Sequence, residues 1–113
     1  MQAGAPRQPD ACELCGRRVA QLTRHHLIPR ARHGNRRNRR DFDRGDVHRR
    51  IAWLCRPCHD HVHAVLSEKA LERDYNTLEQ LRGHPDVARF VAWIAARPAD
   101  FRPPRGRRSR RRR

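Results

Sequence analysis

Two C-x-x-C pairs and a set of histidines carry most of the chemistry open to this chain. Cys12-Glu13-Leu14-Cys15 and Cys55-Arg56-Pro57-Cys58 supply four thiols, and His25, His26, His59 and His63 supply four imidazoles. No signal peptide or long apolar run is read in the sequence, so a reducing, cytoplasmic setting is expected. There, paired C-x-x-C knuckles point to one structural Zn2+ rather than to two disulfides. A redox role would call for a thioredoxin-like βαβ frame, and nothing suggests one. The histidines suit a second site. His25 and His26 are neighbours in the alternating run Leu22-Thr23-Arg24-His25-His26-Leu27-Ile28-Pro29, which reads as a strand, so their rings point to opposite faces. His59 and His63 lie four apart, on one face of a helix. His61 falls about 100° per residue further round and points elsewhere. One strand histidine can join His59 and His63 around a catalytic divalent ion, leaving the other to take a proton from water. His33, His48 and His84 read as spare or capped surface residues.

A small frame must hold these groups. The chain has 113 residues, 36% hydrophobic and 5% aromatic, which allows one thin core and calls for a staple. Residues 1–11 read as a disordered leader and residues 12–66 as the core. Residues 67–98 read as a helical extension and residues 99–113 as a disordered, arginine-rich tail. Within the core, a strand over residues 21–28 ends near Pro29, a long polar loop spans residues 30–49, and a second strand covers residues 50–54. A helix follows over residues 55–66, with Pro57 in its first turn. Ser67 caps a short helix to residue 73, and residues 76–82 form another that Gly83 terminates. The last helix, residues 85–97, carries Val87, Phe90, Val91 and Ile94 on one face, to cover either the hairpin or the first helix. Trp53, Trp93 and Phe90 are assigned to the core. Knuckle, hairpin and a helix opening on the second C-x-x-C make an α+β, zinc-stapled treble-clef finger with C-terminal helices.

Charge speaks to the partner. The net charge is +15 and nearly all of it is arginine, Lys69 being the only lysine. Such a chain attracts a polyanion, most simply nucleic acid, and no membrane partner is expected. Arg24, Arg30, Arg32, Arg36 and Arg37 flank the histidine strand and are candidate phosphate contacts, with Asp41, Asp43 and Asp46 partly balancing the loop.

At these residues the sequence resembles the HNH endonucleases of the ββα-metal group. The matching signature is C-x-x-C, then L-T-x-H-H-L-I-P, then L-C-x-x-C-H-x-x-x-H, covering residues 12–63. The stretch Asp74-Tyr75-Asn76-Thr77-Leu78-Glu79 and the helical region to residue 98 resemble the small stand-alone bacterial members. The resemblance implies His25 as metal ligand and His26 as general base. It matches His59 to the last histidine of the signature and His63 to the extra helix ligand of colicin-type nucleases. The family's middle asparagine falls near Arg50. Asn35, Asn38 or a backbone carbonyl would then orient His26, or Arg50 would contact the scissile phosphate. The implied activity is hydrolysis of phosphodiester bonds in DNA, with little sequence specificity, using Mg2+, Mn2+, Ni2+ or Zn2+. The rival reading is a non-catalytic zinc treble-clef module that binds nucleic acid. The residues do not distinguish RNA from DNA, and they leave the oligomeric state open.

Residues 102–113 hold eight arginines. Deleting them should weaken DNA binding and flatten its dependence on salt, because fewer counterions are released. Filter binding across a salt series measures both, and an unchanged slope would remove the tail from the contact.

Overall fold

The computed structural model describes residues 8–103, so the expectations for residues 1–7 and 104–113 lie outside it. Its described residues form two strands and six α-helices: β1 Thr23–His26, α1 Arg36–Asp41, α2 Arg44–Arg49, β2 Ile51–Leu54, α3 Arg56–Val65, α4 Glu68–Arg73, α5 Leu78–Gly83 and α6 Pro85–Ala95. A 3-10 turn occupies Arg30–Arg32. The class is α+β, as the patterning indicates. Among the described residues no helix is long and apolar enough to cross a membrane.

β1 and β2 pair antiparallel, with Thr23 opposite Leu54, His25 opposite Ala52 and His26 opposite Ile51. Alternation puts Thr23 and His25 on one face of β1 and Arg24 and His26 on the other. His25 is wholly buried, and the small side chain of Ala52 across the ladder leaves its ring room. The free edge of β2 is covered by the first knuckle. Glu13 donates its N–H to the Trp53 carbonyl at 2.9 Å, and its carboxylate accepts the Trp53 N–H at 2.8 Å. Gly16 turns the knuckle with φ +81°, a region that suits glycine because it has no Cβ.

Cap chemistry sets the later helices. Ser67 Oγ accepts the Ala70 N–H and Thr77 Oγ1 accepts the Gln80 N–H, both at 3.0 Å. His84 Nδ1 caps α6, and Pro85 takes the first position, where a missing N–H leaves no bond unmade. Buried Val87 and Ile94, with half-buried Phe90 and Val91, form the apolar face of α6, which packs on α3. Phe90 stacks on His61 at 4.1 Å between ring centroids. Trp93 departs from its expected core position. It is 42% exposed, with the Arg97 guanidinium 4.6 Å from its ring centroid.

Residues 30–49 are not an open loop. Asn35 caps α1 by accepting the Arg37 N–H at 3.0 Å, and Asp43 caps α2 by accepting the Asp46 N–H at 2.9 Å. Helices this short need tertiary anchors. Val47 is one, fully buried. The other is a polar knot around the buried carboxylate of Glu72, which accepts from Arg32 Nε at 3.0 Å, Asn38 Nδ2 at 2.7 Å and Arg73 Nη2 at 3.3 Å. The tail begins later than expected too. Phe101 packs on the core, and the Pro98 carbonyl accepts from Arg17 Nη1 at 2.6 Å.

Burial pushes the Glu72 pKa up, but the hydrogen bonds from Arg73, Asn38 and Arg32 outweigh it and hold the group at about 2 against an ordinary 4.5. Its contribution is therefore complete above pH 4.5 and lost as pH falls through 2. Glu72→Gln should cost about 2 kcal/mol at neutral pH. It should also flatten the acid limb of the stability curve, as followed by urea unfolding from pH 7 downward.

Candidate metal centres

Cys12 and Cys15 from the knuckle meet Cys55 and Cys58 at the start of α3, with their sulfurs within 4.8 Å of one another. All four are free thiols. Tetrahedral zinc with Zn–S bonds of about 2.3 Å spaces its sulfurs about 3.8 Å apart. Cys15 and Cys55 Sγ stand 3.8 Å apart, so the cluster fits such an ion. Without a cation the thiols compete. Hydrogen bonds from the Cys55 and Cys58 thiols, with backbone help, pull the Cys12 pKa down. The same contacts push Cys55 up to about 11 and raise Cys58. Four cysteine sulfurs this close could hold a metal such as zinc, which would let all of them ionise together. Arg17, which the sequence did not single out, sits buried beside them with Nη2 3.4 Å from Cys55 Sγ.

The second group joins His25 of β1 to His59 and His63 of α3, again with one ligand atom each within 4.8 Å. Their ring centroids lie 5.0–5.2 Å apart. Both ring nitrogens of His25 are buried and have no hydrogen-bond partner among the described residues. A buried polar atom without a partner is costly, and a cation among the rings would satisfy one of them. Burial and the neighbouring imidazoles of His59 and His63 hold the His25 pKa at about 3. Burial, His63 and Arg56 hold His59 at about 4, and burial lowers His63. All three are neutral at physiological pH, the form in which imidazole ligates metals. Thr23, two residues before His25 and on its face, supports the group: its Oγ1 lies 2.7 Å from His59 Nδ1. The alternation of the strand is the signal that could have revealed it.

His26 lies outside the group, on the opposite face of β1. It is half-buried, with the His33 ring centroid at 6.2 Å and His48 beyond it, 5.0 Å from His33. Burial first, then Arg30, Arg24, His33 and His48, lowers its pKa. Arg24, Arg30, Arg36 and Arg37 are exposed. Arg32 is engaged by Glu72 instead. Arg50 is also engaged, by Asp46 Oδ2 at 3.0 Å and Asn76 Oδ1 at 3.0 Å. Asn35 is committed to its cap and Asn38 to Glu72 and Arg44, so both side chains have structural partners. His61 turns away from the cluster to Asp86, as its position in the helix predicts.

Compared with known proteins, the chain is 38% identical over 89 residues to the uncharacterized protein YisB of Bacillus subtilis (strain 168), across 79% of this chain and 77% of that one. The chain belongs to the YisB family. The match is longer than residues 1–66, so it reaches beyond the part that carries the cysteine and histidine clusters into the C-terminal helices. No family model matches, and no solved structure matches.

Thiolate–metal bonds supply folding free energy directly in a domain with so thin a core. Cys58→Ser, or exhaustive chelation, should therefore abolish the cooperative thermal transition seen by circular dichroism. His63→Ala, at an exposed position, should leave that transition in place. Full thermal stability after complete metal removal would contradict the staple.

Proposed function

We propose that this chain is a metal-dependent endonuclease of the HNH type that hydrolyses phosphodiester bonds in DNA with little sequence preference. The observation that carries this reading is the meeting of His25 with His59 and His63, with His26 unligated on the other face of the same strand. The cysteine cluster, joining a knuckle to the start of a helix around a hairpin, supports a treble-clef finger stapled by zinc. Four free thiols accord with the reducing cytoplasm as its place of work.

His25, His59 and His63 would hold the catalytic ion. Three imidazoles without a carboxylate favour Zn2+ or Ni2+ over Mg2+, while Mn2+ stays a candidate. When bound, the ion supplies Lewis-acid stabilisation of the charge that builds on the phosphate. His26, neutral because burial and arginines oppose its protonation, accepts the proton of the attacking water. Arg24 and Arg30, exposed beside it, draw in the phosphate backbone, and Arg36 and Arg37 extend that basic surface along α1. One observation favours the binding-module reading instead: Arg50, Asn35 and Asn38 are all engaged elsewhere, which leaves only a backbone carbonyl to stand in for the middle asparagine of the HNH pattern.

Plasmid cleavage by single alanine variants across a titration of each metal decides between them. His25→Ala should lose cleavage and partly recover it at high metal concentration. His26→Ala should lose it by about 100-fold or more at every concentration while still binding metal and DNA. Parental protein that binds plasmid but cuts it with none of the four metals would establish the binding module. Cleavage of RNA alone would move the substrate.

A further inference from the structure

Thr23 Oγ1 makes two short contacts, 2.8 Å to the Leu54 carbonyl and 2.7 Å to His59 Nδ1. A hydroxyl has one proton to donate, and a carbonyl can only accept. The proton of Thr23 therefore goes to Leu54, and the contact with His59 requires a proton on Nδ1. A neutral imidazole carries only one such proton, so Nε2 keeps its lone pair.

We propose that Thr23 is a positioning residue of the imidazole cluster: its hydroxyl holds His59 in the Nδ1–H tautomer and fixes Nε2 as the metal-ligating atom. The inference deepens the catalytic-metal reading and rests on it. Partners of this kind orient a metal-bound imidazole and raise its basicity. The backbone explains why this residue can do it. Thr23 lies two positions before His25 on the same face of β1, and that face meets α3. Leu54, which takes its proton, immediately precedes Cys55, the cap of α3 and a member of the cysteine cluster. One hydroxyl thus ties the strand, the start of the helix and one imidazole into a single arrangement. Neither valine nor alanine could replace it, since both lack the acceptor. Serine could.

The test uses the full chain with zinc on its cysteines. Ni2+ is titrated calorimetrically into the parent, Thr23→Ser, Thr23→Val and His59→Ala, the last giving the background from other histidines. Thr23→Val should bind Ni2+ about 10- to 100-fold more weakly, and Thr23→Ser should stay close to the parent. Nitrogen-15 spectra of the parent without nickel should show His59 as the Nδ1–H tautomer, and Thr23→Val should lose that preference. Parental affinity in Thr23→Val, failure of serine to rescue, or an Nε2–H tautomer in the parent would each overturn the assignment. Should Thr23→Val fail to fold, the serine variant and the parental tautomer still decide. Parental Ni2+ binding with no DNA cleavage would remove the nuclease reading and leave the role of Thr23 standing. Unchanged Ni2+ binding in His59→Ala would remove both.

Discussion

Four cysteine sulfurs drawn within 4.8 Å of one another could hold a single metal ion, and most of this structure is arranged around that cluster. The knuckle at Cys12 and Cys15 has little apolar surface of its own, and the two-stranded sheet is too small to stand alone. Drawing both C-x-x-C pairs to one point pins the knuckle to the first turn of α3 and encloses the hairpin between them. The bonds around that point extend its reach. Glu13 closes the edge of β2, and Arg17 clasps the carbonyl of Pro98 while facing Cys55. The C-terminal segment, the knuckle and the helix start are thereby held by one neighbourhood.

The imidazole cluster depends on this frame. His25 comes from a strand, and His59 and His63 come from a helix that the cysteines anchor one turn earlier. Cys55 and Cys58 precede His59 and His63, so one helix and its cap contribute to both candidate centres. Burial has opposite consequences at the two. Among the thiols it raises the cost of ionisation, so thiolates there would need a cation beside them. Among the imidazoles it disfavours the proton, which leaves lone pairs available. Both centres are thus prepared by desolvation for a cation.

The arginines divide into two groups that charge counting cannot separate. Arg32, Arg44, Arg50 and Arg73 are engaged by carboxylates or carbonyls and hold residues 30–49 against α4 and the Asn76 turn. Arg24, Arg30, Arg36 and Arg37 are exposed, and the first two bear on His26. Glu72 is the pivot of this division. Its carboxylate, buried where water cannot reach it, draws in arginines that would otherwise remain solvated.

The sequence by itself determined the local features. Spacing made the two C-x-x-C pairs a candidate metal cluster, strand alternation parted His25 from His26, and helical periodicity aligned His59 with His63 and turned His61 away. Cap residues such as Ser67 and the N-terminal Pro85 marked helix starts, because these effects act within one or two turns. Tertiary structure decided what depends on distant partners. The helices of residues 30–49 were illegible because short polar helices owe their stability to Val47 and Glu72, the latter more than twenty residues away. The engagement of Arg32 and Arg50 was hidden for the same reason. Thr23 reaches His59 only because β1 packs on α3, and Trp93 lies half in solvent because α6 turns the face of Val87 and Ile94 to the core. Local patterns record what a residue can do, and packing determines which partner it meets.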